Sequence, residues 1–181
     1  AAADRGETVT IFDTDTSQSN YKWMQRAKEA GLWSDTVKVT VTGDVDAIAE
    51  MIGQISEMSD QEHLILIDTY GGASPAYEQL IALADAALVP LPAAEDDFQE
   101  TKETFEWTQR VVAKLRKNGE HAAKVFVVMN KIQRPDMQSE LEAKVAETAF
   151  NLFPMLPAFL AYRAAYKDMS AYGLLGQIAA T

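Results

Sequence analysis

Short β-branched apolar runs alternate with longer helical patterns along this chain, and that alternation limits the fold more than any other feature. The runs are TVTIFD (8–13), VKVTV (37–41), HLILID (63–68), AALVPL (86–91) and KVFVVMN (124–130), with a weaker sixth at 152–156. Helical patterns fill the intervals at about 18–31, 44–58, 74–84, 94–118, 136–150 and 160–172. Strand–helix repetition at this spacing predicts an α/β fold: an open, mostly parallel sheet with helices on both faces. HLILID and KVFVVMN are almost wholly apolar, which is expected of central strands covered on both sides.

Local signals agree with these intervals. Gly31 suits a helix exit, Asp44 an N-cap, and Ser74-Pro75 a helix start with proline in the first turn. Asn118-Gly119 closes the long fourth helix, and Pro135-Asp136 precedes the fifth. The acidic run Glu95-Asp96-Asp97 reads as the first turn of the fourth helix. With no repeat, low-complexity tract or linker, residues 1–181 read as one domain.

Composition removes several function classes. The chain has no cysteine, so it can form neither a disulfide framework nor a thiolate zinc site. His63 and His121 lack serine or cysteine partners in an elbow motif, which argues against a hydrolase triad. No uninterrupted apolar run reaches membrane-spanning length. Ala1–Gly6 has neither the basic nor the apolar region of a signal peptide, so the expected location is cytoplasmic. Sixteen Lys+Arg face 27 Asp+Glu, a net charge of −11. Such a surface repels phosphate polymers on average, so DNA contact would need a local basic patch, of which Lys114, Arg116 and Lys117 are the small example.

In an open parallel sheet, ligands gather at the carboxyl ends of the strands. The first strand ends in Asp13-Thr14-Asp15-Thr16-Ser17, the third in Asp68-Thr69-Tyr70-Gly71-Gly72, and the fifth in Asn130-Lys131. A strand-end aspartate such as Asp68 can hold Mg²⁺ through water. Gly71 and Gly72 would let backbone N–H groups approach a phosphate closely. Asn130 offers an amide donor and acceptor side by side, suited to a base edge. Each feature also has a plain reading: Asp68 as an ordinary strand end before a turn, Thr16 or Ser17 as a helix cap favoured by the neighbouring aspartates, Asn130 as a polar strand end. Trp23, Trp33 and Trp107 lie on helical patterns and read as packing residues.

The ordered set of motifs resembles the ParA/MinD family of deviant P-loop ATPases, which includes partition ATPases and VirC-type conjugative-transfer proteins. TVTIFDTDTSQSNYKWMQRA is similar to that family's second strand and helix, HLILIDTYGGAS to its Walker-B strand, and ADAALVPLPAAEDDFQET to the next strand and helix. VFVVMNKIQRP is similar to its adenine-side strand, and LPAFLAYRAAYKDMSAYGLLG to its C-terminal segment. The resemblance implies that Asp15 orients the attacking water, Asp13 lies near the magnesium shell and Asp68 is the Walker-B aspartate. It further implies that Gly71 and Gly72 sense the γ-phosphate and Asn130 reads adenine; Arg163 matches the C-terminal arginine.

ATP and Mg²⁺ are the implied cofactors. The implied partners are a second copy in a nucleotide-bridged homodimer and a protein of ParB or relaxosome type. No membrane partner is implied, because the tail from Tyr172 has no basic amphipathic face. The family's first strand, its glycine-rich Lys loop and most of its first helix have no counterpart here: no G-x-x-x-x-G-K-[ST] occurs. The expectation is an incompletely represented domain, residues 1–181 of which bind nucleotide poorly on their own. Two other functions fit less of the chain: a phosphoacceptor receiver domain using Asp68 and Lys131, and a non-catalytic scaffold of the same fold.

Overall fold

The computed structural model describes residues 2–58, 62–69 and 74–180. They form two compact units, one taking residues up to 71 together with 164 onward, the other 72–163.

The first unit holds β1 (Thr8–Asp13), α1 (Ser19–Glu29), β2 (Val37–Val41), α2 (Val45–Met58) and β3 (His63–Asp68), and then α6 (Ala164–Tyr172) and α7 (Leu175–Ala179). Its sheet is parallel, in the order β2-β1-β3. The pairs Val9↔Leu64, Ile11↔Leu66 and Asp13↔Asp68 share one face. Val9, Ile11 and Val37 are buried there against Ala2, Ala3, Trp23, Trp33 and Leu174. Trp23 and Trp33 meet edge to face with centroids 4.9 Å apart, and both indoles donate to backbone carbonyls, of Met169 and Val37 respectively. Trp23 and Trp33 are therefore packing residues, each with its polar end satisfied. Asp44 Oδ1 accepts from the N–H groups of Asp46 and Ala47, which fixes the start of α2.

The second unit holds α3 (Pro75–Leu83), β4 (Ala86–Pro92), α4 (Glu95–Lys117), β5 (Lys124–Ile132), α5 (Glu140–Leu152) and β6 (Met155–Ala161). Its sheet is also parallel, in the order β4-β5-β6. One continuous core joins Ile81, Leu91, Phe98, Val112, Val127, Val145 and Phe153, with Leu91 and Val127 fully enclosed. Ser74 caps α3 by accepting from the Tyr77 N–H. Both Gly31 and Gly119 take left-handed φ values, 69° and 75°, at the exits of α1 and α4.

Three details differ from the sequence reading. HLILID is the edge of its sheet among the described residues, and Leu64 and Leu66 remain 41% and 44% exposed. An apolar run shows that a strand can be covered on both faces; it does not show that both edges are paired. The sixth strand begins at Met155 rather than 152, because α5 carries its helical pattern through Leu152. The fifth helix starts at a capping box, where Ser139 and Glu142 each accept from the other's backbone N–H, and not at Pro135-Asp136, which form a separate 3-10 turn.

Candidate functional site

The parallel register of β1 and β3 sets Asp13 and Asp68 level with each other at the carboxyl ends of adjacent strands. Their environments differ. Asp13 is fully buried, and its Oδ2 accepts from the backbone N–H groups of Asn20 (3.0 Å) and Tyr21 (3.1 Å) in the first turn of α1. Those are two of the donors that a helix start leaves open, and the carboxylate faces the positive end of the helix dipole. Oδ1 of the same carboxylate has no hydrogen-bond partner. Satisfaction of one oxygen by two N–H groups offsets part of the cost of burying the charge.

Asp68 is exposed and tied to the same helix: Asn20 Nδ2 donates to its Oδ2 at 2.6 Å. Its backbone carbonyl accepts from both the N–H (3.1 Å) and the hydroxyl (2.9 Å) of Thr14. Asn20 thus contacts both acids, Asp13 through its backbone and Asp68 through its side chain. Nothing in the local sequence marks Asn20; the contact exists only once β1 and β3 are paired.

Asp15 lies two residues beyond β1 and is half-buried in the loop before α1. Its Oδ1 accepts from the Ser17 N–H at 2.9 Å and from the Thr16 hydroxyl at 3.4 Å. These bonds, led by those from Ser17 and aided by the charge of Lys22, hold its carboxyl below the usual aspartate value. The loop closes at Gln18, which takes φ 53°, a left-handed conformation uncommon for a residue with a Cβ. Beside the start of α1 a cavity of about 300 Å³ is lined by Ser19, Asn20, Trp23, Arg26, Met169 and Ser170.

The other sequence candidates belong to the second unit or fall outside the described residues. Asn130 sits near the end of β5 in the second unit, level with Pro92 of β4, and is half-buried. Its neighbour Lys131 is exposed and takes φ 55°. Arg163, between β6 and α6, is exposed. Gly71 and Gly72 lie outside the described residues.

The arrangement gathers carboxyl groups at the strand ends of one sheet. Among the described residues no three His, Cys, Asp or Glu side chains converge to hold a metal directly. The acids fit a magnesium ion reached through water, with Asp68 the accessible ligand. They do not by themselves fit a triphosphate, which needs a run of backbone N–H groups and cationic side chains. No helix among the described residues is long and apolar enough to cross a membrane.

The family described as VirC1 protein matches residues 1–180. Protein virC1 of Rhizobium radiobacter is 23% identical over 97% of this chain and 72% of its own length. Among solved structures, apo McdA of Cyanothece superposes with a TM-score of 0.68 at 14% identity, over 98% of this chain and 83% of McdA. A McdA variant bound to ATP gives 0.61 at 16% identity, over 97% and 80%. The MinD cell division protein of Aquifex aeolicus gives 0.56 at 15% identity, over 93% of this chain and 75% of MinD. At these identities the solved structures establish a common ParA/MinD-like fold. The profile match over almost every residue places the chain in the VirC1 protein family.

Proposed function

We propose that this protein is a nucleotide-dependent switch of the partition or positioning type. Two copies would associate when ATP and Mg²⁺ are bound and separate once the nucleotide is hydrolysed. The observation that carries this reading is the pair of strand-end acids, Asp13 and Asp68, joined through Asn20 to the start of α1. Here α1 is fixed by Asp13 while Asp68 remains accessible, so a ligand drawn to Asp68 acts on a helix already tied to the sheet. Bound Mg²⁺ would supply charge neutralisation at the phosphates. In the chain itself, Asp68 would hold the ion's water shell, and Asp15, kept ionised by Ser17, would orient a water. Asn130 would read the adenine edge, and Gly71 with Gly72 would follow the terminal phosphate. The ATP-bound McdA variant and the VirC1 membership support the nucleotide and the positioning role. The downstream partner would be a protein of ParB or relaxosome type. Direct DNA binding would rest on Lys114, Arg116 and Lys117, of which Lys114 is already paired with Glu78.

The test uses the product of the whole coding sequence. Mg-ATP is expected to raise its melting temperature and to be hydrolysed. Asp15→Ala is expected to keep ATP affinity within about threefold while lowering turnover by about 100-fold or more. An absent thermal shift with Mg-ATP would move the assignment to a scaffold that has lost nucleotide binding. Covalent labelling of Asp68 by acetyl phosphate would move it to a receiver.

A further inference from the structure

We infer that the groove between the end of α5 and β6 docks an amphipathic helical segment of a partner protein, one whose apolar stripe is flanked by lysine or arginine. Phe150 of α5 and Leu156, Pro157, Ala158 and Phe159 of β6 line this groove, which has a volume of about 380 Å³. All five belong to the second unit. Phe150 and Phe159 are each 63% exposed, and neither joins the core that Leu91, Val127 and Phe153 build in the same unit. A single exposed apolar side chain is ordinary on a protein surface. Two phenylalanines bordering one concave apolar surface mark a place where another apolar surface is received.

The backbone of β6 decides how the partner lies. An extended peptide joins a sheet by bonding to the N–H and C=O groups of an edge strand. β6 ends its sheet among the described residues but is a poor template: Pro157 has no N–H, and the pairing with β5 shifts register twice. Docking therefore rests on side chains. A helix laid in the groove satisfies its own backbone and presents apolar residues at i, i+3, i+4 and i+7.

Charge decides which partner fits. Glu140, Ala143, Glu147 and Phe150 follow one another at helical spacing, so they form one stripe along α5, and all four are exposed. Lys144 is the one basic residue of α5 and lies off that stripe, about a third of a turn from Phe150. β6 contributes no charge. The helical wall of the groove is thus acidic, which favours a cationic partner. Pairing of two copies through this face would set Glu140 and Glu147 against like charges, and the net charge of −11 opposes it further.

The test uses the product of the whole coding sequence and two synthetic helical peptides of about 18 residues, or five turns. Both carry leucine and tryptophan on one face; the first has lysine beside that face, the second glutamate at the same positions. The lysine peptide is expected to bind, to move the amide resonances of Phe150 and Ala158, and to weaken as salt rises. The glutamate peptide is expected to bind at least about tenfold more weakly. Phe150→Ala should weaken the lysine peptide by about tenfold. The double variant Glu140→Lys, Glu147→Lys should erase or reverse the preference; both positions are exposed, so its melting temperature checks that the fold is kept. Failure of the lysine peptide to bind, equal binding of both peptides, or indifference to Phe150→Ala overturns the inference. Resonances of Phe150 and Ala158 that move with protein concentration in the absence of peptide assign the groove to a second copy and also overturn it. No nucleotide enters these measurements, so failure of the switch reading and failure of this one are separately visible.

Discussion

The two units are stabilised in different ways. The second rests on apolar volume: three helices and a three-stranded sheet enclose Leu91, Val127 and Ala149 completely. The first buries Val9, Ile11 and Val37 on one face of its sheet and encloses Phe12 and Ile48 completely, and it adds directed bonds: Asp13 to α1, Asn20 to Asp68, Trp23 to Met169 and Thr10 to His63. Charge divides the same way. Acidic residues outnumber basic ones by 14 to 6 in the first unit and by 13 to 10 in the second. The strand-end acids themselves are placed by directed bonds, so their geometry is sensitive to single hydrogen bonds.

That contrast can be broken or sharpened by substitution. The largest effect is expected at Leu91, fully enclosed in the second unit. Leu91→Ala should cost about 2–5 kcal/mol, read as a lower urea midpoint by amides of β4 and β5. A loss below about 1 kcal/mol would mean that this core is loosely packed. A middle effect is expected at Gly173, where φ is 154° and an added Cβ would collide with the backbone of Leu32. Gly173→Ala should cost about 1–3 kcal/mol, seen as faster exchange of the Leu174 amide, which donates to the Leu32 carbonyl. Unchanged exchange would show that α6 and α7 are not held by that contact. The smallest effect is at Ser17. Ser17→Ala removes the hydroxyl's share of the depression and keeps the N–H bond that leads it, so the Asp15 titration followed by carbon NMR should move slightly upward. A depressed folded value stabilises the loop above the unfolded pKa of about 3.9 and loses that contribution as pH falls through the folded value. The Ser17→Ala loop should therefore lose order at a higher pH on acidification.

Much of this was legible in the chain because the determinants are local. Asp44, Ser74, Gly31 and Gly119 cap or end helices through bonds within four residues, and the five strong strands follow from composition over a short window. The capping box at Ser139 and Glu142 was equally local, and its S-x-x-E spacing was the available signal. The register at 152–156 was harder to read, because Pro157 and the bulged pairing leave β6 without clean alternation. The site divides along the same line. Asp13, Asp15 and Asp68 could be found from their position at strand ends. Asn20 could not, because its role depends on two strands separated by about fifty residues of sequence. The edge position of β3 was hidden for the same reason: pairing is a property of the sheet and not of HLILID.

The bond from Asn20 to Asp68 has a mechanical consequence. Trp23 follows Asn20 by three residues, nearly one turn, and its indole donates to the carbonyl of Met169 on α6. A displacement at the tip of β3 would reach the C-terminal segment through about one turn of α1. The indole lies at that joint, so a variant keeping Trp23 as its sole tryptophan would record such a movement in its emission, with no added label.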